Sequence, residues 1–224
     1  MAARQRNATD INPNGLPMRI AATYSREIEA SRARAWENVR DWEHLPWLHA
    51  GSFSECRLDE EGEWGWRAVT RGTGKAAAQQ SVIEVAIDAA LGRYVSRTLE
   101  GPLPGVEIWT QLTELAPRRT RVEVEFHLPH LSEELAQKAG EGLVRLYTRL
   151  WNEDEAMMIA RQAALDERRN PAMQKSLTCP HMGAPLDHVE PDAQGCITCP
   201  WHGYRFDAKT GLSADGRGLK ISLP

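Results

Sequence analysis

Two short loops near the C-terminal end constrain this chain more than any other stretch. The first reads Cys179-Pro180-His181-Met182-Gly183 and the second Cys199-Pro200-Trp201-His202-Gly203. Each offers one thiolate and one imidazole, and seventeen residues lie between His181 and Cys199. Such a donor set selects zinc or an iron–sulfur centre. Pro directly after each Cys and Gly soon after each His suit tight loops whose backbone N–H groups turn toward cluster sulfurs. The Cys and His lie two apart in one loop and three apart in the other, unlike the usual pairs of a zinc ribbon. Both features favour iron–sulfur. A zinc ribbon built on Cys196 and Cys199 is the alternative.

The stretch from about residue 178 to the end resembles the Rieske [2Fe–2S] domain, specifically its oxygenase and ferredoxin branch. Gly203-Tyr204-Arg205-Phe206-Asp207 and Thr210-Gly211 share in the likeness. The resemblance implies that Cys179 and Cys199 hold one iron and that His181 and His202 hold the other. The extra cysteine pair of the respiratory branch is missing, with Trp201 and Gly183 or its neighbours in those places.

Length allows one large domain or two modest ones in 224 residues, ample for a real core. A formal net charge of −4 argues against a general nucleic-acid or membrane-surface role. No apolar run is long enough to span a bilayer, and residues 1–15 lack the apolar stretch of a signal peptide. The two remaining cysteines, Cys56 and Cys196, make a poor disulfide framework, so a reduced cytoplasmic setting is expected.

In chain order, residues 1–16 read as a disordered lead-in and 17–168 as one domain, with 169–177 a linker and 178–224 the cluster domain. Alternation over 18–29 predicts a strand. Ser31 is a candidate N-cap for one or two short helices reaching about His44, with Pro46 stopping the second. Six strand candidates follow, at 53–58, 64–70, 79–87, 93–99, 107–115 and 121–128, separated by turn residues. From 132 to about 168 the pattern becomes a long helix, weakened early by Gly140 and Gly142. The expected fold class is α+β: a curved antiparallel sheet around a long C-terminal helix, followed by a small, mostly β cluster-binding domain. The element order over 18–168 resembles the helix-grip, START-like (SRPBCC) superfamily, which implies a ligand cavity between sheet and helix.

A second donor group lies in the short-helix segment. His44 and His49 are five residues apart, which on an unbroken helix sets them about 140° apart. A helix end at Pro46 lets His49 swing back beside His44. The long helix carries an apolar stripe that includes Leu143, Leu146, Tyr147, Leu150, Trp151, Met157 and Met158, and Asp154 falls within it. A carboxylate there is costly unless it is paired or bound to a metal. Two histidines and a carboxylate with open positions form the facial triad of non-haem Fe(II) oxygenases.

The spacing of Asn38, Asp41, His44 and His49 resembles that of Rieske non-haem iron oxygenases, here with the two halves in reversed order. That resemblance implies that His44, His49 and Asp154 bind a mononuclear Fe(II). It casts Asn38 and Asp41 in the catalytic machinery, Asp41 linking an iron-bearing His to a cluster-bearing His and passing the electron. The blander readings are an ordinary histidine at 44 or 49, or Asp154 paired with Arg149 or Arg161; Glu153 is the fallback ligand. His127 and His130 are expected to be structural or pocket-lining, and His188 solvated.

The implied activity is hydroxylation or dealkylation of an apolar or aromatic small molecule with O2. Electrons would come from a separate NAD(P)H-dependent reductase or ferredoxin, because no Gly-rich dinucleotide motif follows a strand. A homo-oligomer is expected. The competing function is a START-like small-molecule or lipid-binding module fused to a ferredoxin-like Rieske carrier or redox sensor, without mononuclear iron.

Overall fold

A computed structural model describes residues 18–74, 77–129, 131–169 and 177–223. The expected lead-in over 1–16 and most of the expected linker lie outside these residues.

The chain opens with strand β1 (Met18–Ile28), then helices α1 (Arg32–Arg40) and α2 (Leu45–Leu48). Six strands follow: β2 (Phe53–Gly62), β3 (Gly65–Gly72), β4 (Gln80–Asp88), β5 (Arg93–Glu100), β6 (Glu107–Ala116) and β7 (Arg119–Pro129). They form one antiparallel sheet in the order β1-β7-β6-β5-β4-β3-β2. The meander brings the last strand back beside the first, and two-residue periodicity sets which face each side chain takes. In β7, Thr120, Val122, Val124, Phe126 and Leu128 point inward while the residues between them are more exposed.

Ser31 caps α1 by accepting from the Arg34 N–H (3.3 Å). Pro46 does not stop a helix. It sits in the first turn of α2, where its missing N–H leaves no helical bond unmade. His44 is the N-cap and His49 the C-cap of this single turn. The two histidines converge because one short turn separates them.

Helix α3 (Glu133–Arg169) runs unbroken across the concave face. Gly140 marks its crossing with β1: a Cβ there would lie 2.5 Å from the Ala21 carbonyl oxygen. Trp151 and Met158 pack into the sheet beside Phe126 and Val124, and Tyr147 meets Phe126 edge-on at 4.9 Å between ring centres. Each buried side chain of this kind contributes about 1.5–3 kcal/mol.

The convex face holds a feature that periodicity does not announce. Arg67, Glu84, Arg97 and Glu107 stand in direct register across β3 to β6. Arg67 donates to Glu84 (2.8 Å) and Arg97 to Glu107 (3.0 Å). Opposite charges facing each other across strands support the sheet.

The C-terminal module contains one two-stranded ladder, β8 (Cys196–Thr198) with β9 (Arg205–Asp207). Its core is completed from outside. Met157 and Ala160 of α3 and Leu48 of α2 pack with Leu186, Ile197, Phe206 and Ile221. Helix α3 therefore serves two cores, with residues 147, 151 and 158 toward the sheet and 157 and 160 toward the module.

Candidate metal centres

The two cysteine–histidine loops have nearly the same backbone. The Cys179 N–H donates to the Ala184 carbonyl (2.8 Å) and the Gly183 N–H to the Cys179 carbonyl (2.8 Å). In the second loop the Cys199 N–H donates to Tyr204 (2.8 Å) and the Gly203 N–H to Cys199 (2.9 Å). Gly183 and Gly203 close the turns with φ of 82° and 67°, a region that favours glycine. Gly203 also lies under Trp47, whose ring a Cβ would meet at 2.0 Å.

Both cysteines are fully buried. The His181 and His202 rings meet edge-on, with centres 4.5 Å apart and planes 74° apart. The Nδ1 atoms of both are buried without a hydrogen-bond partner, a cost unless they have a ligand. The Cys179 thiol beside Cys199, together with His202 and the Trp201 and His202 backbone N–H groups, draws the Cys199 pKa down to about 5, and Cys179 is pushed up in turn. Two thiolates opposite two free imidazole nitrogens fit a [2Fe–2S] cluster. Zinc fits less well. Among the described residues, the set of donors mutually within 4.8 Å, as a single ion needs, is His44, His49 and Asp154. Cys196 is on β8, with its N–H on Asp192 (3.0 Å).

That second set is buried, with His44, His49 and Asp154 exposed by 4%, 2% and 8%. Asp154 Oδ1 lies 3.1 Å from His49 Nε2 and 3.5 Å from His44 Nε2. Asn38 donates to the same oxygen (2.9 Å), so it orients this carboxylate. Glu153, the fallback ligand, stands behind the site with Oε2 2.6 Å from His49 Nδ1. Burial lowers the His49 pKa, but the Asp154 and Glu153 carboxylates outweigh it and the net shift is upward. Neither arginine pairs with Asp154: Arg149 reaches Ser52 (2.7 Å) and Arg161 reaches Glu37 (3.0 Å). The donor set fits one divalent ion with open positions.

Asp41, at the C-cap of α1, joins the two groups. Its Oδ2 lies 2.7 Å from His202 Nε2 and 3.5 Å from His44 Nδ1. Burial pushes the Asp41 carboxyl up, yet the contacts with His202 and His44 prevail and hold it well below the usual carboxylate range. Burial likewise disfavours charge on His202, but Asp41 and Cys199 raise its pKa to about 9.

Further contacts escaped the sequence reading. Tyr204 stacks on His181 (4.6 Å, 16°), donates to Glu43 (2.5 Å) and accepts from Arg217 (2.9 Å). Tyr204 and Glu43 are 161 residues apart, and only the place of Tyr204 directly after Gly203 hinted at a role. His127 packs near Trp109 and pairs with Glu125 at the sheet's outer face, away from the cavity. His188 is exposed, and His130 lies outside the described residues.

A cavity of about 130 Å3 opens beside the triad, between sheet and α3, lined in part by Phe53, Trp66, Tyr94, Tyr147 and Trp151. No helix among the described residues is long and apolar enough to cross a membrane.

The family model for the Rieske [2Fe–2S] domain matches residues 148–219, a span that begins inside α3. No curated protein matches the chain. Among solved structures, Zhui aromatase/cyclase from Streptomyces sp. R1128 is similar at 16% identity and a TM-score of 0.55, covering 65% of this chain and 96% of that one. A START superfamily protein from Mycobacterium smegmatis is similar at 18% identity and a TM-score of 0.50, over 62% of this chain and 98% of its own. Norcoclaurine synthase from Thalictrum flavum is similar at 13% identity and a TM-score of 0.50, over 66% and 90%. At such identities the likeness is one of fold. Fold and match together define a START-like helix-grip domain followed by a Rieske-type [2Fe–2S] domain.

Proposed function

We propose that this protein is the oxygenase component of a Rieske-type non-haem iron system. The observation that carries the reading is Asp41, one of whose oxygens lies 2.7 Å from His202 and 3.5 Å from His44. Cys179, Cys199, His181 and His202 would hold the [2Fe–2S] cluster, and His44, His49 and Asp154 an Fe(II). When bound, the cluster supplies single electrons and the ferrous ion supplies reductive activation of O2.

The chain's own residues prepare both sites. Asp41 accepts from His202 Nε2 and faces His44 Nδ1 at 3.5 Å, which leaves His202 Nδ1 and His44 Nε2 free for metal. Glu153 does the same for His49, and Asn38 keeps Asp154 turned inward. The path His202–Asp41–His44 lies within one chain, so on this reading an electron would need no second subunit to pass between the two sites. Trp66, Trp151 and Phe53 line the cavity and keep its wall apolar, as an apolar or aromatic substrate needs. The reductant would be a separate NAD(P)H-dependent reductase or ferredoxin, and the product hydroxylated or dealkylated.

The second reading, a START-like binding module with a Rieske electron carrier, is favoured by the fold shared with the structures above. It needs no mononuclear iron. Counting iron in anaerobically purified protein separates the two. The oxygenase reading expects three irons per chain, falling to two in His44→Ala with the brown cluster absorbance unchanged. Two irons in both proteins would overturn it.

A further inference from the structure

The cavity beside the triad has an uneven chemistry. Trp66 and Trp151 make it apolar, but Tyr94, Ser96 and Tyr147 bring hydroxyls to it. Tyr94 and Tyr147 are surrounded by protein and still keep accessible surface, which is surface turned to the cavity. Beside Tyr94 lies Thr110, 1% exposed, close enough for its hydroxyl to donate to the Tyr94 oxygen, so that Tyr94's own O–H stays free for another acceptor. A phenol O–H at an apolar wall gains when a ligand accepts from it. Burial pushes both phenols well above their ordinary range, so they stay protonated donors.

Charge and size narrow the ligand. Among the described residues no Lys or Arg lines the cavity, while Asp41 and Asp154 do. Away from the triad, the wall offers an anion no counter-charge. The volume is about 130 Å3. Apolar protein cavities of about 150 Å3 hold a benzene ring, and drug-sized ligands occupy roughly 300–1,000 Å3.

We infer that the cavity takes an uncharged single-ring aromatic molecule bearing one acceptor oxygen, which Tyr94 and Tyr147 grip while the ring meets Trp66 and Trp151. That this molecule is the substrate rests on the oxygenase reading; the ligand class rests on the cavity.

The test is calorimetric titration of anaerobic full-length protein with acetophenone, with its isostere α-methylstyrene, which lacks the oxygen, and with two-ring 2-acetonaphthone. Acetophenone is expected to bind about tenfold tighter than α-methylstyrene, and 2-acetonaphthone not to bind. Tyr94→Phe and Tyr147→Phe are expected to remove most of the preference while α-methylstyrene binding stays the same. Equal affinity for the isosteric pair in the unmutated protein, no binding of either, or tight binding of the two-ring ketone would each overturn the inference. Iron is counted in the same samples. The expected preference with only two irons per chain overturns the oxygenase reading and leaves the ligand class standing. Three irons without the preference does the reverse.

Discussion

The two donor groups are built by opposite routes. Each cluster loop is nearly self-sufficient: five residues, a closing glycine and backbone bonds that fold the loop on itself. The triad has no such local frame. His44 and His49 sit at the two ends of a single helical turn, and Asp154 arrives from a helix more than a hundred residues later. Asn38 and Glu153 each hold one donor by a hydrogen bond, to Asp154 and to His49, and Asp41 stands 3.5 Å from His44. A site made of local motifs survives changes in its surroundings, while a site assembled from distant elements depends on its supports. That contrast sets where each should break.

The largest effect is expected at the ligands. Cys199→Ser should abolish the brown absorbance and remove two irons. His44→Ala should spare the cluster, remove one iron and lower turnover by on the order of 10³-fold or more, the several kcal/mol a metal supplies. Iron analysis with visible and EPR spectra reads both. Loss of the cluster signal in His44→Ala would mean that the loops are less self-sufficient than their backbone suggests.

Asp41→Asn comes next, because it takes the charge from the link and replaces none of the proposed metal-holding residues. Metal content should hold at three irons, while reoxidation of the reduced cluster by O2 and substrate slows on the order of 10–100-fold in stopped flow. An unchanged rate would make the two sites independent tenants of one chain. Glu153→Gln is the milder version on the triad side. It removes the negative charge behind His49 and leaves a weaker amide acceptor, and iron affinity should weaken about tenfold with the cluster spectrum untouched.

The same contrast decides what could be read from the sequence. The loops were legible because their donors and glycines are neighbours, and the six central strands and α3 were legible because alternation and helical periodicity are local signals. The triad was pieced together less directly, from two histidines about a proline, a carboxylate in an apolar stripe and then a resemblance, since nothing local ties Asp154 to His44. Pro46 was misread because a proline that blocks one helix can also begin the next, and only the fold shows which. The row from Arg67 to Glu107 and the contact of Tyr204 with Glu43 depend on strand register and on docking, which single-residue patterns do not carry. Nor did the sequence show that the cluster module would lean on Met157 and Ala160 for its core.

The smallest effect tests how the two halves protect their sulfurs. Cys179 and Cys199 would be shielded by iron, whereas Cys56 lies partly buried in β2 and is shielded by packing. Burial, reinforced by Glu55, pushes the Cys56 thiol up to about 12. A raised thiol pKa means less reactive thiolate at a given pH: at pH 8 roughly one molecule in ten thousand, against about a quarter for a free thiol near 8.5. Iodoacetamide at pH 8 should therefore leave the iron-loaded protein almost unlabelled. Stripping iron with a chelator should open Cys179 and Cys199 while Cys56 stays dark, and its labelling should climb about tenfold per pH unit toward 12. Mass spectrometry of the labelled peptides reads each site. Cys56 reacting as fast as a free thiol at pH 8 would show that β2 opens readily. In that case the helix-grip half, which holds the triad in place, would be the less rigid of the two.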